Sequence, residues 1–203
     1  MSVLRYPRPP IVQAAMDLAR PWCEGQIIDA APAYAHAVKV ALMLDKHIRP
    51  HPDWLTAAAL LHDAPEYAPP DVDLDTVVSD ACGPETIRVV RALADLHAAM
   101  GRGGPPDLDA VDEPVLYAAA ADKLVALTSI LRRAKASGNP RAFFAERTAF
   151  RRAVPYFRAF VTHAQPRLPT TMATNLDTLV TASEALSGGA ELGLRIDGDR
   201  PPA

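Results

Sequence analysis

The sequence predicts an all-α fold, a single bundle of about seven or eight helices, and three observations carry that expectation. Alanine fills 38 of the 203 positions while aromatic residues make up only 6%, a composition that favours helices packed closely through small side chains. The 20 prolines fall mostly in clusters between apolar segments of helical period rather than inside them. No stretch of useful length alternates with period two, and strand-like fragments such as Gln26-Ile27-Ile28 are too short to count as strands.

Each element follows from its own punctuation. Pro9-Pro10 opens a segment running to about Trp22, and Pro32 opens the next, to about His47. Pro50 and Pro52 flank the start of a helix that ends at Asp63. After Pro69-Pro70 come a short segment from Leu74 and a longer one from Pro84 to Met100. Gly83-Pro84 parts those two, and Glu85 suits the first turn of the second. The stretch from Gly101 to Asp107 is rich in Gly and Pro and reads as a mobile loop. Helices then cover Glu113–Ala136, Pro140–His163 with a break or kink near Pro155, and Pro169–Leu186. One domain over residues 1–187 and a flexible, Gly-rich tail over 188–203 complete the outline.

Composition narrows the function classes. Lys and Arg number 21 against 24 Asp and Glu, a net charge of −3, so no global basic field draws in nucleic acid. No apolar run approaches the roughly 18 residues that span a bilayer, and the first residues hold no apolar stretch of secretory type. Cys23 and Cys82 are too few for a disulfide framework and lack a Cys-x-x-Cys spacing. A cytoplasmic protein with reduced thiols, without membrane partners, is the expectation.

Chemistry enters through polar residues on apolar faces. His36 shares a helix face with Val40, Met43 and His47, and His62 ends the stripe Leu55, Ala58, Ala59 immediately before Asp63. His36 alone reads as a satisfied core histidine, and a His-Asp dipeptide alone carries little information. Asp122 changes the weighing, because it lies mid-helix in Tyr117-Ala-Ala-Ala-Ala-Asp-Lys-Leu-Val. A buried carboxylate needs a partner: a lysine or arginine, or a metal. Its face neighbours Val115, Ala118, Ala126 and Ser129 are mostly small and leave room beside it. Together His36, His62, Asp63 and Asp122 offer two imidazoles and two carboxylates, mixed ligation that suits Mn²⁺ or Fe²⁺. Two aspartate charges cancel a divalent ion, and positions remain for water and a substrate oxygen, an arrangement for hydrolysis. On this reading Asp122→Ala relieves carboxylate repulsion in metal-free protein.

The order His36, His62-Asp63, Asp122 resembles the H…HD…D signature of the HD-domain metal-dependent phosphohydrolases. Tyr34-Ala-His-Ala-Val-Lys-Val-Ala-Leu, Ala58-Ala-Leu-Leu-His-Asp-Ala-Pro-Glu, Gly83-Pro-Glu-Thr-Ile-Arg-Val-Val and Ala121-Asp-Lys-Leu look like the small alarmone hydrolases and the hydrolase half of RelA/SpoT-type enzymes. The likeness runs over about residues 24–160. It implies an all-α fold, a single Mn²⁺ and removal of the 3′-pyrophosphate from guanosine tetra- or pentaphosphate (ppGpp, pppGpp) or a related purine nucleotide. It also implies a possible toxin or synthetase partner, the chain then acting as an antitoxin that erases the synthetase product.

The likeness has gaps. The family carries a Glu-Asp pair after His-Asp; here Glu66 holds the first position and Tyr67 the second, leaving Glu66 as the matching acid/base. Ala126 stands where the family has Asn near the sugar, while Ser129 matches a hydroxyl position. The family's Arg-Lys pair ahead of the first histidine is Gly25-Gln26, which leaves Arg20 as a candidate to stack on a base. Lys39, Arg102, Lys123, Arg132 and Arg133 are candidate phosphate contacts, with Tyr67 and Ser129 beside them. Arg102 stands out, because its flanking glycines would let a loop close over a ligand. Two alternatives stay open. His62-Asp-Ala-Pro-Glu-Tyr also resembles the 5′-nucleotidase branch of HD proteins, with Asp71 and Asp73 as further carboxylates, and a non-catalytic nucleotide- or partner-binding protein would fit Tyr67 and Ala126. His47, His51, His97 and His163 read as loop or surface residues. The aromatic residues from Phe143 to Phe160 read as core or as a helix-helix contact with a partner chain.

Overall fold

The computed structural model describes residues 4, 6–102 and 105–188, and it is an all-α bundle. Ten helices lie among the described residues: α1 (Pro10–Trp22), α2 (Ala33–His47), α3 (Asp53–Leu60), α4 (Ala64–Tyr67), α5 (Leu74–Cys82), α6 (Pro84–Gly101), α7 (Glu113–Ala136), α8 (Pro140–Ala145), α9 (Thr148–Ala164) and α10 (Thr170–Ser187). Gly103, Gly104 and residues 189–203 lie outside the described residues, and so do most of the expected tail and part of the expected loop.

Prolines open the helices as the sequence predicts, because the missing N–H of the first turn has no intrahelical partner to lose. Pro10, Pro84, Pro114 and Pro140 all sit in first turns. Asp112 caps α7 by accepting a hydrogen bond from the Val115 amide at 3.2 Å, and Asn139 caps α8 in the same way.

Helix α7 forms the axis of the bundle. It packs against α2, α3, α6, α8 and α10, and it is buried nearly all round. Ala118, Ala119, Ala120 and Ala121 are at most 1% exposed, and on α3 Ala57, Ala58 and Ala59 are fully buried. These small faces bring neighbouring helix backbones close together, so polar side chains from several helices meet over short distances. By length and composition α7 is also the one described helix apolar enough to cross a membrane, contrary to the sequence expectation. Inside this fold 61% of that apolar window is buried.

Three further details differ from the sequence reading. Ile27–Ile28 and Ala31–Pro32 pair as a two-residue antiparallel hairpin, turned by Asp29 and Ala30 with φ of 47° and 60°. Asp29 pairs with Arg133, which ties the hairpin to α7. The break in the Pro140–His163 segment falls at Glu146–Arg147, whereas Pro155 lies inside α9. Arg147 holds the corner with its guanidinium over the Phe143 ring, 3.4 Å from the centroid. Finally, α3 stops at Leu60, two residues before His62. Pro65 explains the stop, since a proline cannot continue a helix whose fourth preceding carbonyl its ring would strike. His62 and Asp63 therefore occupy a tight turn between α3 and α4, with the Ala64 amide donating to the Leu61 carbonyl at 2.8 Å.

Candidate metal centre

Packing of α2 on α7 sets His36 opposite Asp122, and the turn after α3 adds His62. His36 Nε2 lies 3.1 Å from Asp122 Oδ1 and His62 Nε2 lies 3.6 Å from the same oxygen. The His62 ring is fixed from behind, its Nδ1–H donating to the Ala59 carbonyl at 2.9 Å. That bond turns Nε2 towards Asp122 and Asp63, whose Oδ2 is 3.1 Å away. A third imidazole completes the group: His97 of α6 places Nε2 3.2 Å from Asp122 Oδ2. The ring centroids of His36 and His62 stand 5.3 Å apart, and those of His62 and His97 6.0 Å.

The electrostatics follow from that crowding. Burial favours the neutral form of the Asp122 carboxyl, but hydrogen bonds from His36 and His97 and the nearby His62 imidazole win and hold it well below the usual carboxylate range. Burial pulls His62 down, yet the Asp63 and Asp122 carboxylates outweigh it and push its pKa up to about 9. Tyr67, half-buried near Asp63 and Glu66, is pushed up to about 12 by burial and those charges, so its phenol remains a hydrogen-bond donor.

The donor set fits a divalent cation. His36, His62 and Asp122 each offer a ligand atom, all within 4.8 Å of one another. His62 Nε2 and Asp63 Oδ2 are buried without a hydrogen-bond partner of good geometry, an unfavourable arrangement that a cation between them would relieve. Nitrogen and carboxylate oxygen together suit Mn²⁺, Fe²⁺ or Zn²⁺. The expected set of four divides, however. Asp63 groups with Glu66 and His97, again with ligand atoms within 4.8 Å of one another, and joins the first group through His62.

This centre floors a cleft of about 660 Å³. Of the sequence-predicted residues, His36, Asp63, Asp122, Glu66, Tyr67 and Arg102 line it. Lys39 and Ser129 lie instead in a second, mostly apolar hollow of about 300 Å³ that also takes in Lys46 and Arg132. Ile28, His36 and Ala126 form the ridge common to both. Lys123 is a correction. It is 2% exposed and points into the core, with Nζ 4.6 Å from the Phe160 ring centroid and 5.7 Å from that of Tyr156. Residues on a helix that are adjacent in sequence face different sides, so Asp122 in the cleft sends Lys123 away from it.

Other candidates settle into structural roles. Asp73 caps α5 by accepting from the Thr76 amide at 3.2 Å and hydroxyl at 2.8 Å. Neither it nor Asp71 lines the cleft. The Arg20 guanidinium lies 5.5 Å from the Tyr34 ring centroid and also stays outside it. The His51 side chain is buried with its Nε2 3.7 Å from Asp45 Oδ1, against the expectation of a surface position. The rings of Phe143, Phe144, Phe150 and Phe157 touch in series, edge-on at Phe143–Phe144, stacked at Phe144–Phe150 and tilted at Phe150–Phe157, with Phe144 and Phe157 in the core.

Two cleft residues escaped the sequence reading. His97 lies on the α6 face of Val90 and Leu93, the same signal that singled out His36. Arg152 of α9 lines the cleft together with Arg102, and nothing in its local sequence marks it. No protein-family model matches the chain, and no curated protein matches it either.

Proposed function

We propose that this protein is a divalent-metal-dependent phosphohydrolase of the HD type, acting on a purine nucleotide, with Mn²⁺ as the favoured ion. Alarmone-type hydrolysis of a 3′-pyrophosphate is the leading reaction within that class. The observation that carries the reading is the Nε2 of His62, buried without a hydrogen bond among Asp63, Asp122 and His36, beneath a cleft whose lining includes Arg102 and Arg152.

His36, His62 and Asp122 would hold the ion, with Asp63 beside them. Bound there, it supplies charge for a phosphoryl oxygen and acidifies water. The remaining roles belong to the chain. Glu66, exposed at the cleft on the short helix α4, accepts the proton of the attacking water. Arg102 and Arg152 meet the phosphate charge, and their forked guanidinium groups fit a pyrophosphate better than point charges do. The Tyr67 phenol, protonated at neutral pH, donates a hydrogen bond to an oxygen it cannot deprotonate. The apolar hollow across the His36 ridge, with Lys39 and Ser129 in its lining, has room for part of a base or sugar.

The 5′-nucleotidase reading loses its extra carboxylates, since Asp73 serves as a helix cap and Asp71 stands outside the cleft. The experiment is turnover of a nucleotide panel, ppGpp included, by EDTA-treated protein before and after Mn²⁺ is added. Phosphate or pyrophosphate release that vanishes with EDTA and returns with Mn²⁺ is the expected result. Turnover indifferent to both, or binding without release over hours, overturns the proposal.

A further inference from the structure

Charge is segregated along this chain in a way that its net value of −3 conceals. Eight of the 21 lysines and arginines fall between Arg132 and Arg158, against one of the 24 acidic residues, Glu146. That stretch therefore carries +7 and the rest of the chain −10. We propose that the end of the bundle it forms is a docking surface for nucleic acid, held through the phosphate backbone. The inference stands apart from the metal centre and from the reaction proposed there.

Placement carries it first. The stretch covers the end of α7, all of α8 and most of α9, and α8 packs on both of the others. Arg133 of α7 and Arg147 of the α8–α9 corner both lie over the Phe143 ring, 5.5 Å and 3.4 Å from its centroid. Arg151 follows Arg147 by one turn on the same face. Carboxylates from other elements reach only two of the eight cations: Asp29 pairs with Arg133, and Asp177 and Glu184 with Arg158. Arg132, Lys135, Arg141, Arg151 and Arg152 are exposed and make no ion pair or side-chain hydrogen bond among the described residues. Like charges gathered without counter-charges repel, and a polyanion relieves that repulsion.

Chemistry selects the polyanion. Seven of the eight cations are arginines, whose forked guanidinium groups match phosphate oxygens in pairs. The exposed neutral side chains between them, such as Ala136, Ser137, Ala142 and Ala145, are small and let a backbone approach closely. Among the described residues the large exposed apolar side chains, Tyr6, Ile27 and Leu42, all lie outside the stretch. A protein partner would lack an apolar anchor there, and a membrane would lack a side chain to receive. Arg151 and Arg152 line a hollow of about 770 Å³ beside α9, and Arg152 also lines the cleft. The basic surface thus reaches the cleft mouth.

The test is fluorescence anisotropy of a labelled single-stranded RNA of about 20 nucleotides, longer than a typical site. It is titrated with full-length protein in EDTA, so that no metal-dependent turnover intervenes. Wild type is expected to bind with log K falling against log salt at a slope of about −3.5, the value for roughly five phosphate contacts. Arg141→Ala with Arg151→Ala should weaken binding about tenfold or more at low salt and flatten the slope by about 1.4. Lys135→Gln, on a different helix, should flatten it by about 0.7. Arg88→Ala with Arg91→Ala on α6 makes the same change in net charge as the first pair and should leave both readings unchanged. None of these five residues lines the cleft. No binding by wild type at low salt overturns the proposal, and so does an equal loss in the two double variants or a wild-type slope in the first pair and in Lys135→Gln. Displacement of the RNA by polyglutamate as readily as by unlabelled RNA assigns the surface to an acidic protein and overturns nucleic acid as its partner.

Discussion

Asp122→Ala tests the centre most directly. Without metal, Asp122 accepts from His36 at 3.1 Å and His97 at 3.2 Å, and the His62 imidazole stands 3.6 Å away. Truncation strands those rings in a buried site, where breaking a buried charged pair costs about 3–5 kcal/mol. Alanine returns up to about 0.7 kcal/mol as the better helix former. For a chain of this size the net loss lowers the Tm of metal-free protein by roughly 5–20 °C. The sequence alone suggested the opposite sign, relief of repulsion between carboxylates, because it did not show that three imidazoles converge on this oxygen pair. Manganese then separates ligation from simple pairing. At a free concentration about 100 times Kd, wild type gains about 2.7 kcal/mol, or roughly 5–10 °C. Asp122→Ala should lose that increment, and so should Asp122→Asn, which keeps an acceptor and falls less when metal-free. The assay is scanning calorimetry of each protein after EDTA treatment, with and without added Mn²⁺. A full manganese increment in both variants refutes ligation by Asp122, and a metal-free Asp122→Ala that melts no lower than wild type refutes the pairing.

Other expectations follow from single contacts. Lys123→Met should leave KM for a phosphate substrate within about twofold and Tm equal or higher, because a buried charge gives way to an apolar chain of similar volume; a tenfold rise in KM would return Lys123 to the substrate site. Ala30 adopts φ of 60° at an exposed turn, so Ala30→Gly should stabilise by about 1 kcal/mol and raise Tm by about 2–4 °C, and an unchanged or lower value refutes strain at that turn. In metal-free protein the stability contributed by His62 is complete below its unfolded pKa near 6.5 and is lost as pH rises through about 9. Asp122, held low, contributes above its unfolded value near 3.8 and loses that contribution as pH falls further. A Tm profile for stripped protein that is flat from pH 6 to pH 9.5 would contradict the His62 assignment.

Most of the fold was legible because its signals are local. Proline and glycine at helix starts and ends depend on backbone sterics that no distant contact changes, and Glu113–Ala136 was bounded to the residue. Misplacements arose where two local signals competed. Pro155 suggested the break in the long segment, but the covering aromatic residues bury one face of a continuous α9, and the chain turned at Glu146–Arg147 instead. The Asp29-Ala30 hairpin was hidden because alanine does not favour positive φ, although aspartate tolerates it; the turn is tied down by Arg133, more than a hundred residues away.

The site was legible to the extent that a polar residue on an apolar face is legible, and that rule has a definite limit. Applied to α2, the turn after α3 and α7, it found His36, His62 and Asp122, all of which converge. Applied to α6 it would have found His97 from Val90 and Leu93. Applied to α7 it also admits Lys123, which is as buried as His62 and belongs to no site. What separates the two is the chemistry of the surroundings. Lys123 has its charge spread against aromatic faces and needs no ligand, while His62 ends in a bare Nε2 facing carboxylates. Burial of a polar group thus identifies a residue that must be compensated; only its neighbours, drawn from other helices, decide whether the compensation comes from the protein or from an ion.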